Sequence, residues 1–284
     1  MILIPGNSGC RVEIHTKKDS SFVRKSTSDK IYAKRLKNQF KKQIEFKEFF
    51  KDKSIIVPEI YSGEYSDSGF SFDMEFINYL DSIKYLSRAN TDQINNFYST
   101  VSKIISLELE HSINKDCLRE FIMKYDSVMT DIKKNKRLPK RLIKKIDSKI
   151  LSIDSMIIPV GKCHGDLTFS NILVSRTGKN ICIIDFLDNF IETPFQDMVK
   201  IRQDTQLKWS THLYRDKIDF ARNSIVMKFL DSMFDEQFSK YDFYRNHYNV
   251  FQILNILRIF RYISSEDTRV FLESCLKENL LKRV

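Results

Sequence analysis

Glycine and proline are so sparse in this chain that their positions dictate where regular structure can run. Among 284 residues there are seven glycines and five prolines, and the 90 residues after Pro194 contain neither. Glycine supplies the left-handed backbone of tight turns and proline interrupts helices, so a span this long without either predicts consecutive helices. Within it Ile253, Leu257 and Phe260 fall at i, i+4 and i+7, one face of an amphipathic helix packed on a core. A second glycine-free span, residues 84–155, carries Ile94, Phe97, Val101, Ile104 and Ile105 at helical spacing behind an Asn90 or Thr91 cap, and predicts three helices.

The start of the chain is patterned differently. Arg11-Val12-Glu13-Ile14, Phe22-Val23-Arg24-Lys25, Ile60-Tyr61-Ser62 and residues 70–77 are short, β-prone and bounded by Gly, Asp, Ser or Pro, which predicts strands. One helix over residues 28–50 interrupts them, with Leu36, Phe40, Ile44 and Lys47 along one side. Between the helical spans, Ile172-Leu173-Val174-Ser175, a turn at Arg176-Thr177-Gly178-Lys179, and residues 181–186 predict a β-hairpin. The chain therefore reads as α+β, with a small strand-rich N-terminal lobe over residues 1–78 and a larger, mostly helical lobe over residues 79–284.

Composition excludes several classes. With 42% hydrophobic and 30% charged residues the chain can bury a core, and no apolar run approaches the ~20 residues needed to cross a bilayer. Its first residues lack the basic start and long apolar middle of a signal peptide, so a cytoplasmic location is expected. Cys10, Cys117, Cys163, Cys182 and Cys275 are scattered without a CxxC pair, pointing to reduced thiols rather than disulfides or zinc. The net charge of +10 attracts anions without choosing among them. The basic run over residues 133–149 reads as a solvated face, and no nucleic-acid reader motif accompanies it, which argues against a nucleic-acid partner.

The chemistry concentrates in His164-Gly165-Asp166-Leu167-Thr168-Phe169-Ser170-Asn171, followed by the hairpin that ends in Ile183-Ile184-Asp185-Phe186. Two carboxylates and one amide come from a loop and a neighbouring strand end. Phosphoryl transfer needs such a set: an acid to take or orient the nucleophile's proton, and oxygen ligands to hold magnesium against phosphates. Asp166 and Asn171 have the spacing of the aspartate and asparagine in the kinase catalytic loop.

These motifs resemble the signature of the aminoglycoside phosphotransferase and choline kinase-like superfamily, relatives of the protein kinases. The resemblance implies a bilobal protein kinase-like fold, with an antiparallel-sheet N-lobe containing one long helix. It implies Asp166 as catalytic base, Asn171 and Asp185 as Mg2+ ligands, and His164 as a buried residue that shapes the loop. Gly6-Asn7-Ser8-Gly9 resembles the nucleotide-covering loop, with Asn7, Ser8 and Gly9 near phosphate, and Lys25 the phosphate-contacting lysine, for which Arg24 and Lys30 are substitutes. Glu75, Phe76 and Ile77 correspond to the linker whose backbone bonds the base of ATP or GTP. Asp197 is implied as a structural cap, and Asp188 either faces an acceptor or stabilises a turn.

The chain also departs from the pattern. Where kinases place a helix glutamate against the strand lysine, this helix offers Gln39, Gln43 and Glu45, and Gln43 is the candidate to hold Lys25 by a hydrogen bond. The fuller glycine pattern of the nucleotide loop is missing. The leading expectation is a small-molecule kinase that phosphorylates a hydroxyl. A sugar or glycan-pathway intermediate ranks above a choline-like amino alcohol or an aminoglycoside, because the helical lobe shows no conspicuous acidic run. The second reading is a catalytically degenerate kinase-fold module that binds nucleotide or a partner without turnover.

Overall fold

Alternating β-prone residues at the start of the chain build one antiparallel sheet around a single helix. The structure, a computed structural model, describes residues 2–4, 9–17, 20–66, 69–214, 217–263 and 265–281. β1 (Ile2–Ile4), β2 (Arg11–Lys17) and β3 (Ser20–Thr27) lead into α1 (Lys30–Phe49), followed by β4 (Ile55–Ile56), β5 (Ile60–Ser66) and β6 (Gly69–Glu75). Five of these strands pair in the order β1-β2-β3-β6-β5, every pair antiparallel. Val23 and Lys25 are buried on one face of β3, whereas Arg24 between them and Ser26 beyond them are less covered, as the two-residue pleat requires. Val23 lies opposite Met74 and Lys25 opposite Phe72, so Lys25 emerges beside the sheet's apolar core.

Asp29 caps α1 by accepting from the backbone N–H groups of Ile31 (2.8 Å) and Tyr32 (3.2 Å). The helix buries Ala33, Leu36, Gln39, Gln43 and Phe46, not the expected side of Leu36, Phe40, Ile44 and Lys47. Four-residue steps drift by about 40° each on a 3.6-residue helix, which carries Ile44 out to 39% exposure and turns two glutamines inward. β6 ends at Glu75, so Phe76 and Ile77 of the expected strand lie beyond the sheet.

β7 (Leu80–Asp81), the single-turn α2 (Ser82–Leu86), α3 (Thr91–Glu110), β8 (Ser112–Asp116), α4 (Leu118–Lys134), α5 (Lys140–Ile150) and β9 (Ile157–Gly161) come next. Asn90 caps α3 through a reciprocal box: its Oδ1 accepts from Gln93 N–H and its own N–H donates to Gln93 Oε1, both at 2.9 Å. The three expected helices form, together with two elements that were not expected, α2 and β8. Ser112–Asp116 is polar and mostly exposed, so it has no apolar alternation; its ladder with β9 makes it a strand.

β10 (Ile172–Val174) and β11 (Ile181–Ile183) form the expected hairpin, with Ile172 opposite Ile183 and Val174 opposite Ile181. Its turn needs Gly178: φ is +73°, and a Cβ there would lie 2.0 Å from the Tyr85 hydroxyl. β11 also pairs in parallel with β4, and β10 antiparallel with β7. The rest is helical: α6 (Pro194–Thr205), α7 (Trp209–Leu213), α8 (Phe220–Phe238), α9 (Asp242–Phe260) and α10 (Glu266–Leu281). Ile253, Leu257 and Phe260 of α9 are buried. No helix among the described residues is long and apolar enough to cross a membrane.

The chain divides into two compact units, one of Met1–Lys103, His164–Asp188 and Ser210–Val226, the other of Ile104–Cys163, Asn189–Trp209 and Met227–Val284. The first holds the five-stranded sheet, α1 and the β10–β11 hairpin. In the second, α5 buries Leu142, Ile146 and Ile150 and exposes Lys140, Arg141, Lys144 and Lys145, the solvated basic face expected of that run.

Candidate functional site

The loop that opens the hairpin is built around a buried imidazole. His164 is fully buried; its Nδ1 accepts from the Asp166 backbone N–H (3.2 Å), which leaves Nε2 to donate to the Ile184 carbonyl (2.8 Å). Burial pushes His164 down to about 4, against the opposing pull of Asp166 and the bond to Ile184, so the ring is neutral at pH 7. Gly165, at φ +90°, makes the turn between these partners. The His164 carbonyl in turn accepts from the Leu187 N–H at 3.0 Å.

Asp166 and Asn171 meet across the loop. The Asn171 Nδ2 donates to the Asp166 carbonyl (2.8 Å) and to its carboxylate Oδ2 (3.2 Å). With the amide nitrogen committed to the loop, Oδ1 is the atom left to face a ligand. The Asn171 carbonyl accepts from the Ile184 N–H at 3.0 Å, tying the loop to the end of β11.

Asp185 follows with φ +63°, a left-handed conformation costly for a residue with a Cβ and one that recurs where function over-determines the backbone. Its carboxylate Oδ1 contacts Lys25 Nζ; the lysine side chain is 5% exposed and the aspartate 45%. Burial pushes Lys25 down to about 8, against the opposing pull of Cys10, and the ammonium stays charged at neutral pH beside that carboxylate. Lys25, Asp166, Asn171 and Asp185 thus belong to one compact unit. These oxygen donors fit a magnesium ion, which takes one or two carboxylates and keeps several waters. Among the described residues no three His, Cys, Asp or Glu side chains group as a metal site, so a cation here would combine the Asp185 carboxylate and the Asn171 amide with bound phosphate and water.

The other sequence-predicted residues are distributed as follows. Gly9 packs against Tyr32, and its carbonyl accepts from the Thr27 hydroxyl (3.0 Å); Asn7 and Ser8 lie outside the described residues. Glu75 exchanges bonds with Glu59, donating its backbone N–H to the Glu59 carbonyl (2.8 Å) and accepting on Oε2 from the Glu59 N–H (3.2 Å). Phe76 follows it, and Ile77 accepts on its carbonyl from Tyr79 N–H at 2.9 Å. Asp188 is exposed and accepts from Asn38 Nδ2 at 3.0 Å. Asp197 is buried in the other unit, one turn inside α6; the cap of that helix is Thr193, whose hydroxyl accepts from Phe195 N–H at 3.1 Å.

The expected partner of Lys25 is corrected. Gln43 is buried, but its Nε2 donates to the Pro58 carbonyl (2.9 Å), and Glu45 is exposed. The cation of α1 that reaches the segment after the hairpin is Lys42, whose Nζ donates to the Leu187 carbonyl at 2.6 Å. A search for an acid or amide passes over it, and one lysine among 47 basic residues carries no signal of its own. Phe46 was missed as well: its ring centroid lies 5.0 Å from that of Phe186, which is 4.5 Å from His164. A concavity of about 620 Å³ lined by Arg11, Glu13, Arg24 and Ser26 lies on the opposite face of the sheet from Lys25.

No family model matches the sequence, and no curated protein matches it. Solved structures do match in fold. A thermostable mutant of aminoglycoside phosphotransferase APH(4)-Ia in ternary complex with AMP-PNP and hygromycin B superposes with TM-score 0.63 at 10% identity, covering 98% of this chain and 92% of that one. A gentamicin–APH(2")-IIa complex gives TM-score 0.54 at 14% identity, covering 98% and 89%. Plasmodium vivax ethanolamine kinase gives 0.54 at 12% identity, covering 99% and 81%. The chain has the α+β kinase-like fold of these proteins, with an antiparallel-sheet N-terminal region and a helical C-terminal region.

Proposed function

We propose that this chain is a Mg2+-dependent phosphotransferase that moves the γ-phosphate of ATP or GTP to a hydroxyl of a small molecule. The observation that carries this reading is the meeting of Asp166 with Asn171 on the loop, and of Asp185, just past the hairpin, with Lys25 of β3, in a kinase-like fold. In this reading residues 1–78 bind the nucleotide and residues 79–284 contribute the catalytic loop and the acceptor site. Gly9, with Asn7 and Ser8, covers the phosphates, and the backbone of Glu75, Phe76 and Ile77 holds the base.

Magnesium, when bound, would neutralise charge on the β- and γ-phosphates. Asn171 Oδ1 and the Asp185 carboxylate are the groups that would hold it. Lys25 orients phosphate oxygens as a point charge. Asp166, fixed by Asn171 and by its N–H bond to His164, aligns the acceptor hydroxyl and takes its proton as the oxygen–phosphorus bond forms and the bond to the nucleoside diphosphate breaks. His164 supports the loop that carries this chemistry. Asp188, exposed beside Asn38, is the candidate to face the acceptor's hydroxyl or amine.

A nucleotide-consumption assay against sugars, amino alcohols such as ethanolamine and choline, and aminoglycosides tests the reading, with Asp166→Asn as control. Transfer to one acceptor class that disappears in the variant supports it. Nucleotide binding that ignores magnesium, with no phosphate delivered to any acceptor, points instead to a degenerate binding module.

A further inference from the structure

Five consecutive residues, 184–188, are each tied down, and the ties come from two directions. From the loop and sheet, His164 Nε2 donates to the Ile184 carbonyl, Lys25 contacts Asp185, and the Leu187 N–H donates to the His164 carbonyl. From α1, the Phe46 ring packs at a tilt against Phe186, Lys42 Nζ donates to the Leu187 carbonyl, and Asn38 Nδ2 donates to the Asp188 carboxylate. Asn38, Lys42 and Phe46 stand at four-residue intervals on one side of the helix, about 6 Å apart along its axis. They engage 188, 187 and 186 in that order, so the helix and the turn run past each other in opposite senses. The turn they grip contains Asp185, whose φ of +63° holds only while its surroundings fix it.

We propose that Lys42 is a positioning residue for the metal–nucleotide site. Its bond to the Leu187 carbonyl, seconded by Asn38, holds the Asp185 carboxylate where it can serve a cation and its phosphates. The bond is charge-assisted and half-buried, the strong kind, and it ends two residues from the carboxylate it orients. It couples the position of α1 to the metal ligand through the turn's backbone, with Lys25 left to phosphate. The inference rests on the phosphotransferase reading and adds a role for α1 to it.

The test uses the full chain and measures AMP-PNP affinity with and without magnesium by calorimetry, alongside the thermal unfolding midpoint. Lys42→Met is expected to cut the gain in affinity conferred by magnesium by about tenfold, the loss of one charge-assisted hydrogen bond, while magnesium-free affinity stays within about twofold. Lys42→Arg, which keeps charge and donor, is expected to restore most of that gain. Asn38→Ala, at a more exposed contact, should lower it about threefold and guards against a Lys42 variant that fails to fold. An unchanged magnesium gain in Lys42→Met and Asn38→Ala would overturn the inference, as would equal losses with and without magnesium, the mark of a merely structural role. If the wild-type chain gains nothing from magnesium, the phosphotransferase reading itself falls, and this one with it.

Discussion

Two buried cations, one in each unit, are held in opposite ways. Arg202 of α6 is 3% exposed and all three of its guanidinium nitrogens are engaged: Nε and Nη2 donate to Asp231 (2.9 and 3.2 Å), while Nη1 reaches Asp235 and the Tyr244 hydroxyl (2.6 Å), with the Tyr248 ring 5.2 Å away. Burial disfavours that charge, but Tyr248, Tyr244, Asp231 and Asp235 outweigh it and push Arg202 up. Lys25 is equally buried, yet it has one carboxylate, on a half-exposed residue in a strained turn, and burial pushes it down to about 8. A planar fork with every arm engaged locks three helices; a flexible ammonium with one exchangeable partner can be handed to an anionic ligand. Burial and pairing are common to both cations; what differs is the number of donors already spent.

That contrast can be broken from either side. The largest effect is expected at Asp166, the proposed base: Asp166→Asn should lower transfer by about 10²–10⁴-fold in a steady-state assay while leaving nucleotide affinity and the unfolding midpoint nearly unchanged. Arg202→Met strands two carboxylates around an apolar side chain and should cost about 3–5 kcal/mol in denaturant unfolding, with whatever nucleotide affinity survives unaltered per folded molecule. Lys25→Met should do the reverse. Transfer should fall about 10²–10³-fold, as for loss of a phosphate-stabilising donor. Stability should hold or rise at pH 7, because a lysine depressed from 10.5 to about 8 contributes stability above pH 10.5 that is lost as pH falls through 8.

A smaller effect sharpens the comparison through pH. His164 is depressed from 6.5 to about 4, so its contribution to stability is present above pH 6.5 and is lost as pH falls through 4, roughly 3 kcal/mol in all. Denaturant titrations between pH 7 and 4 should show this slope, and His164→Gln should flatten it. An unchanged slope in that variant would assign the acid sensitivity to other groups.

What could be read in the sequence, and what could not, divides along similar lines. Asp166 and Asn171 are legible because a loop five residues long enforces their contact, and the hairpin returns Asp185 through a turn that only Gly178 can make. The helices after Pro194 are legible because nothing in 90 residues can stop them except polar links. The buried side of α1 was not, because an i+4 reading of sparse apolar residues accumulates rotation and hides Gln39 and Gln43. β8 escaped because its stability comes from ladder bonds to β9 rather than from apolar side chains. Lys42 escaped for a different reason. Its partner is a backbone carbonyl 145 residues away, and no side-chain pattern announces such a contact.

The lysine-studded flank of α5 has a practical consequence. Residues 133–149 hold nine of the 47 basic side chains against one of the 37 acidic ones, so most of the excess charge is crowded onto a single short span. In dilute buffer such a flank would gather triphosphates, polyphosphate or a cation-exchange matrix without any help from the candidate site. At about 0.15 M salt, where fields fade over ~8 Å, that background attraction shrinks and saturable nucleotide uptake can be told from mere adhesion.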